Sequence, residues 1–141
     1  MSLVWREQLS VGNNVIDTDH RYLINIINRV EQSLGAGDRR ELSVALDSLS
    51  KYTQEHFARE EKIARAAGYE QVPGLSHSHE ALVKQLDEIK TEIRNKGQEW
   101  TPEVAEKFTK LLRSWLIEHV IKEDLLMKPV LQKHSPLFDP R

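Results

Sequence analysis

The residues of this 141-residue chain that could do chemistry are histidines and carboxylates set within apolar helical patterns. His56 and Glu60 are four residues apart, which places them one turn apart on one face of a helix. Leu49 and Ile63 recur on the same side, so that face is expected to lie near a core. A buried carboxylate needs a partner, because an unpaired charge in a core is costly. The pair alone fits either a partly solvated salt bridge or part of a metal site.

Histidines also lie on or beside the apolar stripes of the other predicted helices. His20 is one step from such a stripe, His79 shares the face of the leucines that follow it, and His119 follows two apolar residues at inward spacing. Taken singly, each is explained as a capping, surface or core histidine. Together, the histidines place at least one imidazole from each of the four helices toward the interior of a bundle. Glu60 and Asp124 add two carboxylates to this set. Such sets build dinuclear iron sites in helical bundles.

The spacing between His119 and Asp124 needs an irregular helix. Five residues separate them, which in a regular α-helix is about 140° around the axis. A π-bulge would bring both side chains to one side, and such bulges are frequent at functional sites. We therefore predict an irregularity between Val120 and Glu123, since a regular helix would leave Asp124 outside the site.

Capping residues, glycines and prolines divide the chain into four helices. The expected boundaries are Asp17–Thr18–Asp19 to Gly35 and Gly37, Asp38 to Gly68, Pro73–Gly74 to Gly97, and Thr101–Pro102 to Leu126 or Met127. Strand signals are weak. We predict an all-α fold, an up-down-up-down four-helix bundle over about residues 18–130. An extended N-terminal arm (1–17) anchored by Trp5 and an irregular tail (131–141) complete one domain, 1–141.

Composition excludes several function classes. The chain has 20 basic and 22 acidic residues, a net charge of -2 and no cysteine. Balanced charge argues against nucleic acid or an anionic membrane as a partner. The lack of cysteine excludes disulfides, zinc fingers and iron–sulfur clusters. No apolar run approaches the roughly 18 residues of a membrane span, and the start does not look like a secretory signal. We expect a cytoplasmic protein.

The order of the candidate ligands resembles the hemerythrin family, in particular bacteriohemerythrins. His20, the segment from His56 to Glu60, His79, and the segment from His119 to Asp124 follow one another as in that family. The likeness extends from Trp5 to about Met127 and includes Val4-Trp5, Ile16 to His20, and Gly68-Tyr69. The combined HxxxE and HxxxxD patterns are specific, whereas either one alone is not.

The resemblance implies a non-heme diiron centre that binds O2 reversibly, with two irons joined by an oxo or hydroxo bridge. NO, peroxide and azide are further ligands that such a centre could take. The implied bridging carboxylates are Glu60 and Asp124. The implied histidine ligands are His20 and His56 on the iron with the open O2 position, and His79 and His119 on the other.

The resemblance also implies a gas pocket. Its residues would be Trp5, Leu23, Phe57, Trp115 and Leu116. Ordinary core packing is the alternative interpretation of the same residues.

One position departs from the family pattern. The family usually has a second histidine four residues before His79, where this chain has Leu75. His77 could replace it only if the first turn of the third helix were irregular, because two residues in a helix differ by about 200°. His134 in the tail is expected to lie on the surface. The second iron is therefore expected to lack one donor, which should weaken metal binding and speed autoxidation.

Four functions remain open at this stage. We favour a module that senses O2, NO or redox state, with a C-terminal signalling output domain if the chain is a fragment. The alternatives are a free-standing oxygen carrier or store, and a diiron enzyme acting on peroxide or NO. A metal-free helical interaction domain is disfavoured, because two acids in a dry core would repel each other. Manganese or zinc could also occupy such a site in vitro.

Overall fold

The computed structural model describes residues 3–95 and 101–140, and the elements assigned there are all helical. The long helices are α1 (Asn14–Ala36), α2 (Arg39–Ala67), α3 (Val72–Asn95) and α4 (Pro102–Ser114), and α4 continues as a π-helical segment (Trp115–Ile121). The shorter elements are a 3-10 turn (Glu7–Leu9), α5 (Lys122–Asp124), a 3-10 turn (Leu125–Met127) and α6 (Lys128–Leu131). We call α4, the π segment and α5 together the fourth helix. The all-α four-helix bundle is confirmed.

Local capping chemistry sets most of the predicted boundaries. Gly37 and Gly68 end α1 and α2 in the left-handed region, at φ 66° and 89°, where a side chain would be strained. Asp38 and Thr101 cap α2 and α4 through their side chains. Gly97, the predicted end of the third helix, lies outside the described residues.

The start of α1 differs from the prediction. Asn13, rather than the Asp17–Asp19 segment, caps the helix by accepting hydrogen bonds from the N–H groups of Val15 and Ile16. Asp17 instead turns back to accept the Val11 N–H at 2.9 Å, so it holds the arm against the helix. The arm is therefore shorter than predicted.

The start of α3 also differs. Pro73 and Gly74 were expected to precede the helix, but α3 begins at Val72 and includes both. A proline fits the first turn, because the N–H group that it lacks would have no partner there.

The arm and the tail are both tied to the bundle. Leu3 and Asn28 exchange two hydrogen bonds of 2.9 Å, and Trp5 is half-buried against the core. The Asn13 side chain donates to the Phe138 carbonyl at 2.8 Å, which fastens the tail to the start of α1. The tail is irregular after α6, which ends at Leu131.

Two apolar clusters surround a layer of polar residues. The first apolar cluster includes Leu23, Phe57, Leu82 and Ile121, and the second includes Ile16, Ile63, Leu75 and Met127. In each of the four helices of the bundle, a side chain of a type that can bind metal lies between a residue of the first cluster and a residue of the second. In chain order these are His20 between Ile16 and Leu23, Glu60 between Phe57 and Ile63, His79 between Leu75 and Leu82, and Asp124 between Ile121 and Met127. The bundle therefore surrounds its polar layer with apolar packing on both sides. Among the described residues, no helix has the length and apolarity to cross a bilayer.

Candidate metal centre

Four of the predicted ligands meet in the core. His20, His56 and Glu60 have no exposed surface, and Asp124 is 1% exposed. One ligand atom from each lies within 4.8 Å of the others. The group joins α1, α2 and the end of the fourth helix. These residues are far apart in sequence, so the fold and not local spacing assembles them.

The ligand atoms converge without pairing completely. His20 Nε2 lies 2.8 Å from Asp124 Oδ2, and His56 Nε2 lies 3.0 Å from Glu60 Oε2. Although that second distance is short, both of its atoms lack a partner with hydrogen-bond geometry. A hydrogen bond needs a suitable angle as well as a short distance. The two atoms therefore face a common point more than they face each other.

Glu60 connects this group to His79. Its Oε1 atom lies 3.0 Å from His79 Nε2, whereas its Oε2 atom faces His56. His79 is 3% exposed, and the Phe57 ring stacks on it with centroids 3.8 Å apart. The two oxygens of one carboxylate thus face two different sets of histidines, which is the arrangement that a bridging ligand requires.

The predicted irregularity of the fourth helix is present, and it is longer than expected. The π-helical segment runs over Trp115–Ile121, whereas the prediction placed a distortion between Val120 and Glu123. The wider turn changes the phase of the following residues, and Asp124 is buried in the core.

His119 does not join the buried group, and its predicted inward orientation is wrong. Its side chain is exposed in a surface groove between α3 and the fourth helix. In the π segment, burial repeats every five residues, at Trp115 and Val120 and at Leu116 and Ile121. The prediction that His119 points inward, four residues after Trp115, assumed a regular α-helix. The π turn gives that inward place to Val120.

The third helix contributes one histidine to the site. His77 is exposed and lies outside the buried group, so the structure gives no support to its role as an extra ligand. Because α3 is regular from Val72 onward, His77 lies on the side opposite His79. Leu75 is 4% exposed and belongs to the second apolar cluster, one turn from His79. An apolar side chain therefore occupies the place from which a second histidine would reach the site.

Asp19 is a functional residue that the sequence analysis missed. It accepts a hydrogen bond of 2.9 Å from His56 Nδ1, two of 3.0 Å from Arg59, and one of 2.7 Å from the Tyr52 hydroxyl. This fixes the His56 ring so that Nε2 points at the donor group. Tyr52 and Arg59 lie four residues before and three after His56, and that shared face was the available signal.

Glu61 orients His79 in the same way as Asp19 orients His56. Its Oε2 atom lies 2.9 Å from His79 Nδ1, so a carboxylate orients this ring as well. Glu61 keeps 22% of its side chain exposed, whereas Asp19 keeps 6%. The outer support of His79 is therefore more open to water than that of His56.

Burial and charge shift the pKa values of these groups in opposite directions. Burial and the negative charge of Asp124 raise the pKa of Glu60. Burial alone would raise the pKa of Asp124, but hydrogen bonds with Glu60 and the histidines hold it below its usual value. Burial lowers the pKa of His20. Burial also acts to lower the pKa of His56, but the charge of Glu60 and bonds to carboxylates raise it well above its usual value. The site thus favours positive charge between its carboxylates.

The residues named for a gas pocket lie in or beside the first apolar cluster. Leu23, Phe57, Trp115 and Leu116 are buried there, and Trp5 is half-buried at its edge. The Trp115 indole N–H donates to the Leu82 carbonyl at 3.0 Å. A role in lining a gas pocket stays a prediction.

Comparison with known proteins finds one family for most of the chain. The family model described as the hemerythrin HHE cation binding domain matches residues 11–131. A bacteriohemerythrin of Stenotrophomonas maltophilia is 27% identical over 136 residues, 96% of this chain and 86% of that protein. A bacteriohemerythrin of Methylococcus capsulatus is 28% identical over 133 residues, 93% of this chain and 98% of that protein.

Solved structures show the same fold. A crystal structure of a hemerythrin mutant superposes with a TM-score of 0.76 at 23% identity, covering 92% of this chain and 96% of that one. The match of the family model over residues 11–131, most of the chain, shows that the chain belongs to the hemerythrin family.

Proposed function

We propose that this hemerythrin-family chain is a diiron domain that senses O2 or redox state, with two unequal metal positions. The observation that carries this proposal is Glu60, whose two oxygens face His56 on one side and His79 on the other, at 3.0 Å each. A carboxylate placed in this way can join two metal ions in a helical bundle.

The donor set suits iron. All the converging atoms are imidazole nitrogens and carboxylate oxygens, which are donors that bind iron. Buried atoms of His56 and Glu60 lack hydrogen-bond partners, and a cation between them would supply the missing interaction. It would also offset the charge of two buried carboxylates, which repel each other without it.

The residues divide between the two positions. The first would be held by His20, His56, Asp124 and the Oε2 atom of Glu60. The second would be held by His79 and the Oε1 atom of Glu60. An iron pair held by these residues would supply the electrons for reversible O2 binding.

The protein residues determine what can reach that pair. The apolar clusters on both sides exclude bulk water and leave a dry environment that small gases can enter. Asp19 and Glu61 orient His56 and His79 through their Nδ1 atoms. The histidines are therefore held in place before a metal binds.

The second position supports sensing more than storage. Leu75 offers no donor, and His119 is exposed. An iron with few protein ligands leaves positions for O2, NO, peroxide or azide and should oxidise easily. If the chain is a fragment, a C-terminal signalling output domain would receive the change through the fourth helix. A free-standing oxygen carrier or store is the second candidate, supported by the similarity to bacteriohemerythrins.

The test is anaerobic loading of the protein with ferrous iron, followed by air. We expect bound iron, a near-ultraviolet absorption that shifts when azide is added, and faster air oxidation than in a bacteriohemerythrin with the complete ligand set. His79→Ala should lower the iron content, and His77→Ala, an exposed histidine of the same helix, is its matched control. Protein that stays colourless and retains no iron would contradict the diiron proposal. Slow, fully reversible oxygenation would favour the carrier.

A further inference from the structure

Two tyrosines lie between the donor group and the protein surface. Tyr22 of α1 and Tyr52 of α2 stack with ring centroids 4.3 Å apart and an angle of 24° between the rings. Tyr22 is 51% exposed, whereas Tyr52 is half-buried. The pair therefore has one end in solvent and the other against the bundle.

Hydrogen bonds continue from the inner tyrosine to the donor group. The Tyr52 hydroxyl donates to Asp19 Oδ1 at 2.7 Å, and Asp19 Oδ2 accepts from His56 Nδ1 at 2.9 Å. The other nitrogen of His56 faces Glu60. Arg59 fixes this arrangement, because its guanidinium bonds both oxygens of Asp19 and lies 5.3 Å from the Tyr52 ring centroid.

We propose that Tyr52 and Tyr22 form a relay that carries oxidising equivalents from the metal centre to the surface when the oxidant is hydrogen peroxide. This rests on the proposed function, since iron must be present to react with peroxide. The relay gives the chain a one-electron peroxidase activity toward small soluble reductants that reach Tyr22, and it spares the buried histidines from oxidation.

The electrons and protons of this reaction balance. Reduction of one H2O2 to two water molecules takes two electrons and two protons. The relay delivers the electrons one at a time, and solvent supplies the two protons that the peroxide oxygens take up. Tyr52 gives up its electron first and passes its phenolic proton to Asp19 along the 2.7 Å hydrogen bond. Tyr22 then donates an electron to Tyr52 and a proton to solvent, while Tyr52 regains its proton from Asp19. The second electron follows the same path once a reductant has restored Tyr22. Without a reductant it comes from Tyr52, whose proton then stays on Asp19.

The exposed radical has two fates. A soluble one-electron reductant such as ascorbate restores the Tyr22 phenol by giving one electron and one proton. Without a reductant, Tyr22 radicals of two molecules couple by one carbon–carbon bond, and each ortho hydrogen moves to the phenol oxygen. The coupled product is dityrosine, which is fluorescent and covalently dimeric.

Two other described aromatic groups of similar chemistry, Trp115 and Tyr69, are less suited. Trp115 donates its indole N–H to the backbone carbonyl of Leu82, which is not a base that could accept the proton. Tyr69 packs against the second apolar cluster, apart from the stacked pair. Asp19 is a proton acceptor for Tyr52 alone among the three tyrosines of the chain, as far as the hydrogen bonds of the described residues show.

The test uses the iron-loaded chain, with iron content measured first. The oxidised protein is mixed with hydrogen peroxide, frozen within seconds and examined by electron paramagnetic resonance. We expect a radical signal that narrows when tyrosine is ring-deuterated, and dityrosine fluorescence in a covalent dimer. Tyr52→Phe should lose the radical at Tyr52 and the dimer. Tyr22→Phe should keep the radical and lose the dimer. Tyr69→Phe is the matched control and should keep both.

Distinct results overturn distinct conclusions. A radical insensitive to tyrosine labelling, or radical and dimer both kept in Tyr52→Phe with normal iron content, rejects the relay and leaves the metal site intact. If Tyr52→Phe loses iron because Asp19 is no longer held, the Tyr22→Phe result decides, and a dimer that persists there rejects the relay. Failure of the unaltered chain to bind iron rejects both proposals.

Discussion

The two sides of the donor group are built differently. On the side of α1 and α2, His20 and His56 are fully buried, and Asp19 holds His56 with support from Arg59. On the side of α3, His79 is the one buried histidine that the described residues supply, and its support, Glu61, is partly open to water.

The difference shows how the same bundle can offer two positions of unequal strength. The first side has more donor residues than the second, and the carboxylate that holds its histidine is more deeply buried. On the second side, Leu75 adds to the apolar packing, and the π segment leaves His119 in a groove. We expect the first position to fill with metal before the second.

The largest effect should come from removing the residue common to both sides. Glu60→Gln keeps the size of the side chain but removes the charge that faces both sets of histidines. Metal affinity should fall at both positions by more than the roughly 10–100-fold that loss of an outer partner costs. Equilibrium dialysis against ferrous iron measures this. If Glu60→Gln lost only one metal, Glu60 would belong to one position.

A lower pH should raise the free energy of unfolding of the metal-free protein and lower its affinity for metal. The pKa of Glu60 is raised to about 7 from an ordinary value of 4.5, so the folded metal-free chain binds more protons than the unfolded chain. Its free energy of unfolding should therefore be highest below about pH 4.5 as far as Glu60 is concerned, and fall as the pH rises toward 7. Metal affinity should rise over the same range, because binding releases protons.

Denaturant titrations at several pH values, with and without metal, measure how the free energy of unfolding changes with pH in each state. The Glu60→Gln variant is the control, because it should lack the Glu60 part of the slope in the metal-free state. Parallel slopes in the metal-free and loaded chain would mean that the metal does not bind at Glu60.

Adding a donor should sharpen the comparison by strengthening the weaker side. Leu75→His places an imidazole one turn from His79, so iron at the second position should bind on the order of tenfold or more tightly and autoxidise more slowly. Leu75→Met conserves volume without this donor and should change neither quantity. Iron retention after dialysis and the rate of air oxidation measure both. Unchanged values for Leu75→His would place the missing ligand elsewhere.

Weakening the outer support should affect the stronger side. Asp19→Asn removes the charged acceptor of His56 Nδ1, so affinity at the first position should fall by about 10–100-fold. Asp17→Asn is the matched control, because Asp17 is also a buried aspartate of α1 but bonds the arm at Val11. Titration with Co²⁺ followed by its visible absorption measures the first position. Equal losses in both variants would mean a general loss of stability.

The smallest effect is expected at the exposed histidines. His119→Ala and His77→Ala remove side chains that lie outside the buried group, so neither should change affinity at the first position. Calorimetric titration with metal compares the two. Loss of the second metal in His119→Ala, but not in His77→Ala, would show that His119 turns inward when metal binds, as the family resemblance implies.

Local sequence signals predicted much of the fold. Gly37 and Gly68 end helices because of backbone conformation, and Asp38 and Thr101 begin them through side-chain caps, so neighbouring residues suffice. The start of α1 failed for a tertiary reason. Asp17 looks like a cap in the sequence, but it bonds the arm, and Asn13 takes the capping position.

The site was predictable where helical periodicity held. His56 and Glu60 are assigned correctly to one face, because α2 is a regular helix. His119 failed because the π segment changes the period from which its orientation was inferred. Asp19 was missed because its bonds to His56 and Arg59 join two helices, and sequence spacing within one helix does not show them.

The most direct test of the two unequal positions is an anaerobic titration of metal-free protein with ferrous iron, followed by counting bound iron. The account predicts that one equivalent binds tightly at His20, His56, Glu60 and Asp124, and that a second binds at least about tenfold more weakly at His79. Two equivalents bound in one step with equal affinity, or no bound iron, would contradict it.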